Sequence, residues 1–589
     1  MEEGLQALTA PTAGSPPHGG GLPPLRWTTR HFSQDRLIQF ALVAIVVFLV
    51  VVPLAPVLYQ SILAKPLYET PRSTTLANYF HFFASADFHA AITNSFVLAL
   101  VSTLVATAIG ASIAVAVART NMPGRSFLSS AMLLPLYVSQ LILSVGWFIM
   151  YGPAGYITSA IRELTGVVPW NLYTLLGMSV LAGIAASPMT FILCIGSLRL
   201  LDTSIEDAAR SVGARPARIV WSIILPIIRP ALVYSMMLNF IAGLELLSIP
   251  LIFGRPARLL FFTTYLYSSG GTRTVPDYGL VGAAAAFFLL LISALVVLQG
   301  FLLRNAGRFT AIRGKTSRAK AFDLGRWRFL LSAVVLLYFV LGLALPLVGL
   351  ILRAFVDFLT PLMSPWKLLT WVNFQTIFSN ETYVRSMLNS LVVAAFGGAL
   401  ATLLTALVTV VIHRSEFPWR RQLEFVALYP RAVPGMIAGL GVLWAVLWIP
   451  FLTPLHGTIW VLILAFTMRN IPTGYGALSP VLLQIDADLD RSARSIGASW
   501  WTTCRRIVLP IARTGLFSAY VLMFLAFFKE YAAAAFLYAH GSEVIGISML
   551  EFWGIGEVGP AAALGVVQFA ATCVFILIAQ RALRVRLHA

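Results

Sequence analysis

Residues 202–226 read DTSIEDAARSVGARPARIVWSIILP, and residues 486–510 read DADLDRSARSIGASWWTTCRRIVLP. Nine of the 25 aligned positions are identical: Asp202/Asp486, Ala209/Ala493, Arg210/Arg494, Ser211/Ser495, Gly213/Gly497, Ala214/Ala498, Ile223/Ile507, Leu225/Leu509 and Pro226/Pro510. Each copy is a short polar segment between long apolar runs, with a glycine in its middle and a proline at its end. The pattern predicts a surface helix, a bend and the entry to the next apolar span.

The rest of the chain is strongly apolar: 59% of residues are hydrophobic and 11% charged. Its uncharged runs are long enough to cross a bilayer, which makes this an all-α polytopic membrane protein. Twelve spans are legible, near 37–63, 91–118, 127–150, 172–198, 230–254, 279–303, 329–352, 389–412, 422–449, 458–480, 514–540 and 559–580. They group as six plus six. The expected organisation is a disordered tail without a cleaved signal peptide (1–36), a first transmembrane domain (37–303), a basic linker (304–328) and a second transmembrane domain (329–585). Cys194, Cys504 and Cys573 lie far apart, which argues against a disulfide framework or a zinc site.

The net charge of +18 is a matter of topology. With the N-terminus cytoplasmic, the inside segments hold 29 of the 41 Lys/Arg and 11 of the 23 Asp/Glu, whereas the outside loops hold nine of each. That asymmetry predicts that both termini are cytoplasmic. It also removes the case for a nucleic-acid partner, because the positive charge is spread over many short loops beside the bilayer.

The halves repeat beyond the opening motif. NSFVLAL at Asn94 aligns with NSLVVAA at Asn389, ARTNMPGR at Ala118 with HRSEFPWR at His413, and Pro135 with Pro430, all at a spacing of 295. At Gly213/Gly497 the spacing is 284, so the first half carries eleven extra residues, assigned to the external loop around 151–171. With six spans in each half, the repeat is parallel and its axis is expected along the membrane normal.

On this topology both copies of the motif face the cytoplasm, between the fourth and fifth spans of each half. Ile205, Ala208, Ala209 and Val212 fall at helical spacing and predict a small apolar face flanked by Glu206, Asp207 and Arg210. Such a helix can dock onto a partner or lie on lipid headgroups. The same glycine and proline offsets in two places favour docking.

A cytoplasmic segment with Glu-Ala-Ala, three residues, Gly, nine residues and Ile-x-Leu-Pro resembles the permease subunits of binding-protein-dependent ABC importers. The first copy fits through Asp207, Ala208, Ala209, Gly213, Ile223, Leu225 and Pro226, with Ala214 following the glycine. The second fits through Ala493, Gly497, Ile507, Leu509 and Pro510, with Ala498 after its glycine, and departs at Arg491 and Ser492. Asp490 lies one place before the expected acid, about 100° round a helix, and whether it substitutes for that acid is open at this level. The resemblance implies two type I ABC importer transmembrane domains fused in one chain. It further implies a pair of coupling helices, two copies of a cytoplasmic ABC ATPase that bind ATP-Mg, and a periplasmic or extracellular substrate-binding protein.

The chain carries no ATPase signature of its own. Gly314-Lys315-Thr316 ends like a phosphate loop, but Phe309 stands where the first glycine is required. No hydrolase motif is present, and no cofactor is expected on this chain.

Charges within spans are costly and tend to line cavities or pair. Glu245 matches Lys529 at the spacing of 284, which predicts opposite charges meeting near the pseudo-twofold axis; Glu530, Arg431 and Arg469 are further candidates for the translocation path. The segment 528–546 resembles a stretch in fused ferric-iron importer permeases through Lys529, Glu530, Ala533, Gly541, Ser542 and Glu543, which leans the substrate towards iron. Thiamine, phosphonate, sulfate and polyamine are the alternatives within that machinery. The eight histidines are scattered, and Glu543, Glu551 and Glu557 have no metal-ligand spacing, so no metal site is expected. A different class, a secondary transporter of the major facilitator type, would also show six plus six spans and a parallel repeat. That reading needs a glycine- and acid-containing motif between the second and third spans, where ARTNMPGR has no acid.

Overall fold

The computed structural model describes residues 28–200, 204–272, 277–303, 321–358 and 367–583. Residues 1–27 of the expected tail, most of the basic linker with Gly314 to Thr316, and Asp202 of the opening motif lie outside them. The described architecture is helical, with only isolated β-bridges beside the helices.

Eight helices are long and apolar enough to cross a bilayer, or up to eleven if each of three bent pairs forms one span. The bent pairs are 216–227 with 229–244 (68°), 420–432 with 435–448 (111°) and 500–511 with 513–528 (76°). Three sequence expectations change. The stretch 459–484 is one continuous helix but is not among the eight, because Arg469 and Asn470 interrupt its apolar surface. The third expected span is broken near Pro135 and resumes as 140–165, a stretch that contains the helix Tyr156–Thr165 in the loop where the first half is longer. The first helix begins at Thr28, within the stretch expected to be disordered, and brings Asp35 into the fold.

Each half lends its first span to the other. The helix Thr28–Val51 packs on Gly398–Arg414, Arg420–Leu428 and Ile459–Gln484, and Leu54–Gln60 on Gly435–Trp448. Reciprocally, Leu345–Ala354 packs on Gln140–Tyr151, and Trp327–Phe339 on Arg125–Ala131. Both crossings need a glycine. A Cβ on Gly146 would lie 2.5 Å from the Pro346 carbonyl oxygen, and one on Gly441 would lie 2.5 Å from that of Pro53. Such close backbone approach is how helices associate where lipid removes the hydrophobic drive between them.

The repeated NS pairs have matching tasks at the start of the second span of each half. Asn94 donates to Leu260 O (2.9 Å) and Ser95 accepts from the Phe262 amide (2.8 Å). Asn389 donates to the carbonyls of Gly541 and Glu543 (both 3.0 Å), and Ser390 accepts from the Ile545 amide (2.8 Å). These side chains satisfy backbone groups that the non-helical connections leave open.

Candidate functional site

The repeated segments form helices Ser204–Ser211 and Ala487–Ser495. Each ends in the same way. Gly213 (φ +80°) donates to Arg210 O and Ala214 to Ala209 O, while Gly497 (φ +84°) donates to Arg494 O and Ala498 to Ala493 O, all at 2.9–3.1 Å. This pair of bonds closes a helix through a left-handed residue, and it accounts for the glycine shared at Gly213 and Gly497. No atom lies within 4 Å of a Cβ built on either glycine, so the constraint is backbone conformation and not space.

The prolines have a local cause too. Pro226 and Pro510 have no N–H to offer the carbonyl four residues back. The ladder shifts instead to five-residue spacing over Val220–Ile224 and Cys504–Val508, with Leu225 N–H donating to Val220 O and Leu509 N–H to Cys504 O. The bends of 68° and 76° follow directly after these segments.

Both helices are held from behind by a buried ion pair. Arg119 Nε lies 3.0 Å from Glu206 Oε1 and Arg414 Nη1 lies 2.9 Å from Asp490 Oδ2. Arg119 also donates to Leu198 O (2.9 Å), and Arg414 to the equivalent Leu482 O (2.5 Å) and to Ile485 O. Asp490 is therefore the counterpart of Glu206 and not of Asp207, which settles the register left open by the sequence. Burial pushes the Glu206 carboxyl up, and Arg119 and Arg210 oppose that rise.

The apolar face differs from expectation. Ala209 and Ala493 turn inward with the buried acids, whereas Ile205 and Val212 in one helix, and Leu489 and Ile496 in the other, are exposed. Val212 is 83% and Ile496 85% exposed. Asp207, Ala208, Arg491 and Ser492 lie on the same open side, so the departure of the second copy from the family pattern falls on the exposed surface.

The anchors around the helices are unequal. Arg210 stacks over the Phe322 ring (4.4 Å) and pairs with Asp207 (2.8 Å). Phe322 in turn bonds through its backbone to Arg119 and Asn121, fastening the end of the linker to the first helix. In the second half Arg494 pairs with Glu416 (2.8 Å), and Asp35 accepts from the Trp500 and Trp501 amides (2.9 and 3.3 Å). The first half has Pro216 where Trp500 stands, so there is no amide for a cap to satisfy.

A second constellation lies between the halves. A cavity of about 530 Å³ is lined from the first half by Gln140, Asn239 and Glu245 and from the second by Arg469, Asn470, Lys529 and Glu530. The expected Glu245–Lys529 pair is not formed. Arg469 bridges both carboxylates, with Nη2 3.3 Å from Glu245 Oε2 and Nε 3.4 Å from Glu530 Oε2. Lys529 donates instead to the Leu136 carbonyl (2.5 Å), at the break in the third span of the first half. Glu245 and Lys529 do hold equivalent places, each directly following its helix, but Arg469 from a third helix takes the carboxylates and Lys529 finds a backbone carbonyl. Arg431 is not in this cavity; it donates to Tyr234 Oη (2.8 Å) with its guanidinium 5.3 Å from the ring centre. Glu424 accepts from Tyr475 Oη (2.6 Å).

Beside the Asn389 bonds, Arg385 bonds Glu543 (3.2 Å), and Glu543 accepts from the Gly541 amide (3.0 Å). Burial alone would raise the Glu543 carboxyl, but these bonds outweigh it and hold the group below its ordinary range. Among the described residues no group of three or more His, Cys, Asp or Glu is placed to hold a metal ion.

The model of the family described as "Binding-protein-dependent transport system inner membrane component" matches residues 106–307 and again 401–588. The ferric transport system permease protein FbpB of Actinobacillus pleuropneumoniae is 27% identical over 451 residues, 76% of this chain and 64% of that protein. A putative ferric transport system permease protein, FbpB 1 of Haemophilus influenzae, is also 27% identical, over 76% of this chain and 70% of that protein. A putative 2-aminoethylphosphonate transport system permease protein, PhnV of Salmonella typhimurium, is 28% identical over 33% of this chain and 73% of its own. The chain thus spans less than two thirds of the first of these relatives. Two separate matches that together cover most of the residues, one in each half, show that this multi-pass membrane protein belongs to the binding-protein-dependent transport system inner membrane components.

Proposed function

We propose that this chain is the fused permease of an ATP-driven importer in a bacterial inner membrane, with both termini cytoplasmic, and that its cargo is ferric iron. The observation that carries the reading is the doubled helix mount. Two helices 284 residues apart have the same buried ion pair, the same left-handed closure and the same exposed apolar pair. A rigid helix held from behind with an apolar tip suits a cleft in a partner, and each π-segment and bend leads from that helix directly into a span. Two copies of a cytoplasmic ATPase, with ATP-Mg bound to them and not to this chain, would dock on Ile205/Val212 and Leu489/Ile496. Their closure would move Glu245 and Glu530, which follow the bent spans, relative to each other.

Iron is favoured over phosphonate because the ferric relatives align with 76% of the chain, whereas the phosphonate relative aligns with 33%. A receptor outside the membrane would supply selectivity, since the described residues form no resident metal cluster. The test is reconstitution of the chain in proteoliposomes with its ATPase and binding protein. ATP-dependent uptake of radiolabelled ferric ion is expected, and uptake driven by a proton gradient without ATP would overturn the importer reading.

A further inference from the structure

The two carboxylates of the central cavity are fixed by backbone. Glu530 Oε1 accepts from the amides of Ala532 (3.0 Å) and Ala533 (3.2 Å), which fold the chain back on the side chain. Glu245 is set at the end of the helix Arg229–Leu244, with the Gly435 amide facing its carboxylate. The cation between them is held differently. Arg469 reaches in on a long stem from the middle of Ile459–Gln484, and its contacts of 3.3 and 3.4 Å are longer than the 2.7–2.9 Å or so of a tight charge-assisted bond. Its Nη1 is buried without a hydrogen-bond partner, in a slot that exists because Gly435 has no Cβ. A structural ion pair would be expected to use all its donors, since an unmet buried donor costs about 1–3 kcal/mol. Here Glu530 is preorganised by backbone amides and the cation is under-satisfied.

We infer that Arg469 is a tethered counter-cation: its guanidinium occupies, between Glu245 and Glu530, the place that a hard, oxygen-ligated cation takes in transit. The inference rests on the cation-importer reading above. In the resting cavity the two negative charges are neutralised, so small cations find no open anionic site and the path is closed to leak. A delivered cation of high charge exchanges with the guanidinium, which swings into the cavity on its flexible stem. Carboxylate oxygens and the amide oxygens of Asn239 and Asn470 suit a hard ion, whereas no thiolate or imidazole lines the cavity to hold a soft one. The exchange leaves few strong ligands, so the ion is passed on and not retained.

The test uses the full-length chain purified in detergent, with Tb³⁺ as a hard trivalent probe whose luminescence is excited through aromatic side chains, Tyr531 being in the cavity wall. Arg469→Gln is expected to tighten Tb³⁺ binding at least tenfold over the unsubstituted protein. Arg469→Lys, which keeps the charge, is expected to bind as weakly as the parent. The gain should vanish in the Arg469→Gln/Glu245→Gln/Glu530→Gln protein, whose integrity is checked by size exclusion and thermal unfolding. No gain in Arg469→Gln, or a gain that survives removal of both carboxylates, would overturn the inference. Ferric uptake in proteoliposomes is scored separately. Uptake without the Tb³⁺ gain sinks the tethered cation and leaves the iron permease standing; the gain without ferric uptake supports the tethered cation and sinks the choice of iron as cargo.

Discussion

Arg414 meets Asp490 at 2.9 Å behind the helix Ala487–Ser495, the same relationship that Arg119 has to Glu206 behind Ser204–Ser211. The arginines are 295 residues apart and the acids 284, so two distant parts of the repeat have kept one buried contact. The side chains of Arg414 and Asp490 are 7% and 13% exposed, which makes the pair sensitive to losing either member. Asp490→Asn or Arg414→Met alone should cost on the order of 3–5 kcal/mol, the range for an uncompensated buried charge. The double change Arg414→Met/Asp490→Leu should recover much of that stability, as thermal unfolding in detergent would show. Transport should stay low in the double variant, because the helix is no longer tied to Leu482 and Ile485.

Gly213 and Gly497 hold left-handed backbone with open space around them. The penalty for a side chain there is conformational, about 1–2 kcal/mol for alanine. Substitution by Asn, Ala and Val should therefore impair substrate-stimulated ATP hydrolysis in that order, Val most. Equal effects of Asn and Val would point to a steric cause.

Gly435 leaves the space in which the Arg469 guanidinium sits. A Cβ there overlaps the Arg469 guanidinium, so Gly435→Ala is expected to dislodge it from both carboxylates. Transport should fall at least tenfold in Gly435→Ala with little loss of folded protein, and unimpaired uptake would count against any role of the bridge.

Asp35 caps the second mount alone. Asp35→Ala should lower thermal stability by about 1 kcal/mol, the ordinary worth of a helix cap. Trp500→Pro, which removes the amide as Pro216 does in the first half, should make the loss of the Asp35 carboxylate much less costly. A full, additive loss in the double variant would show that Asp35 acts elsewhere.

Acid should loosen the clasp between Arg385 and Glu543. Because the folded carboxyl is held below its ordinary value, its contribution is complete above the unfolded pKa of about 4.3 and is lost as pH falls through the folded value. Thermal stability measured between pH 6 and pH 3 should drop over the acid end of that range, and Glu543→Gln should flatten the drop.

The sequence by itself determined the elements whose causes are local. The surface helices, the bends at Gly213 and Gly497, and the entry to the next span marked by Pro226 and Pro510 are legible because backbone conformation and a missing N–H belong to single residues. The apolar runs likewise announced the spans, including those the fold bends. Tertiary structure alone decided the partners. Nothing in spacing says that Asp490 answers to Glu206 until Arg414 is seen behind it, or that Arg469, on a different helix, takes the place assigned to Lys529. Charges in a low-dielectric interior pair with whatever the packing brings within a few ångströms. In this chain that packing is set by first spans exchanged between the halves and by helices broken at prolines, relationships that no local sequence pattern records.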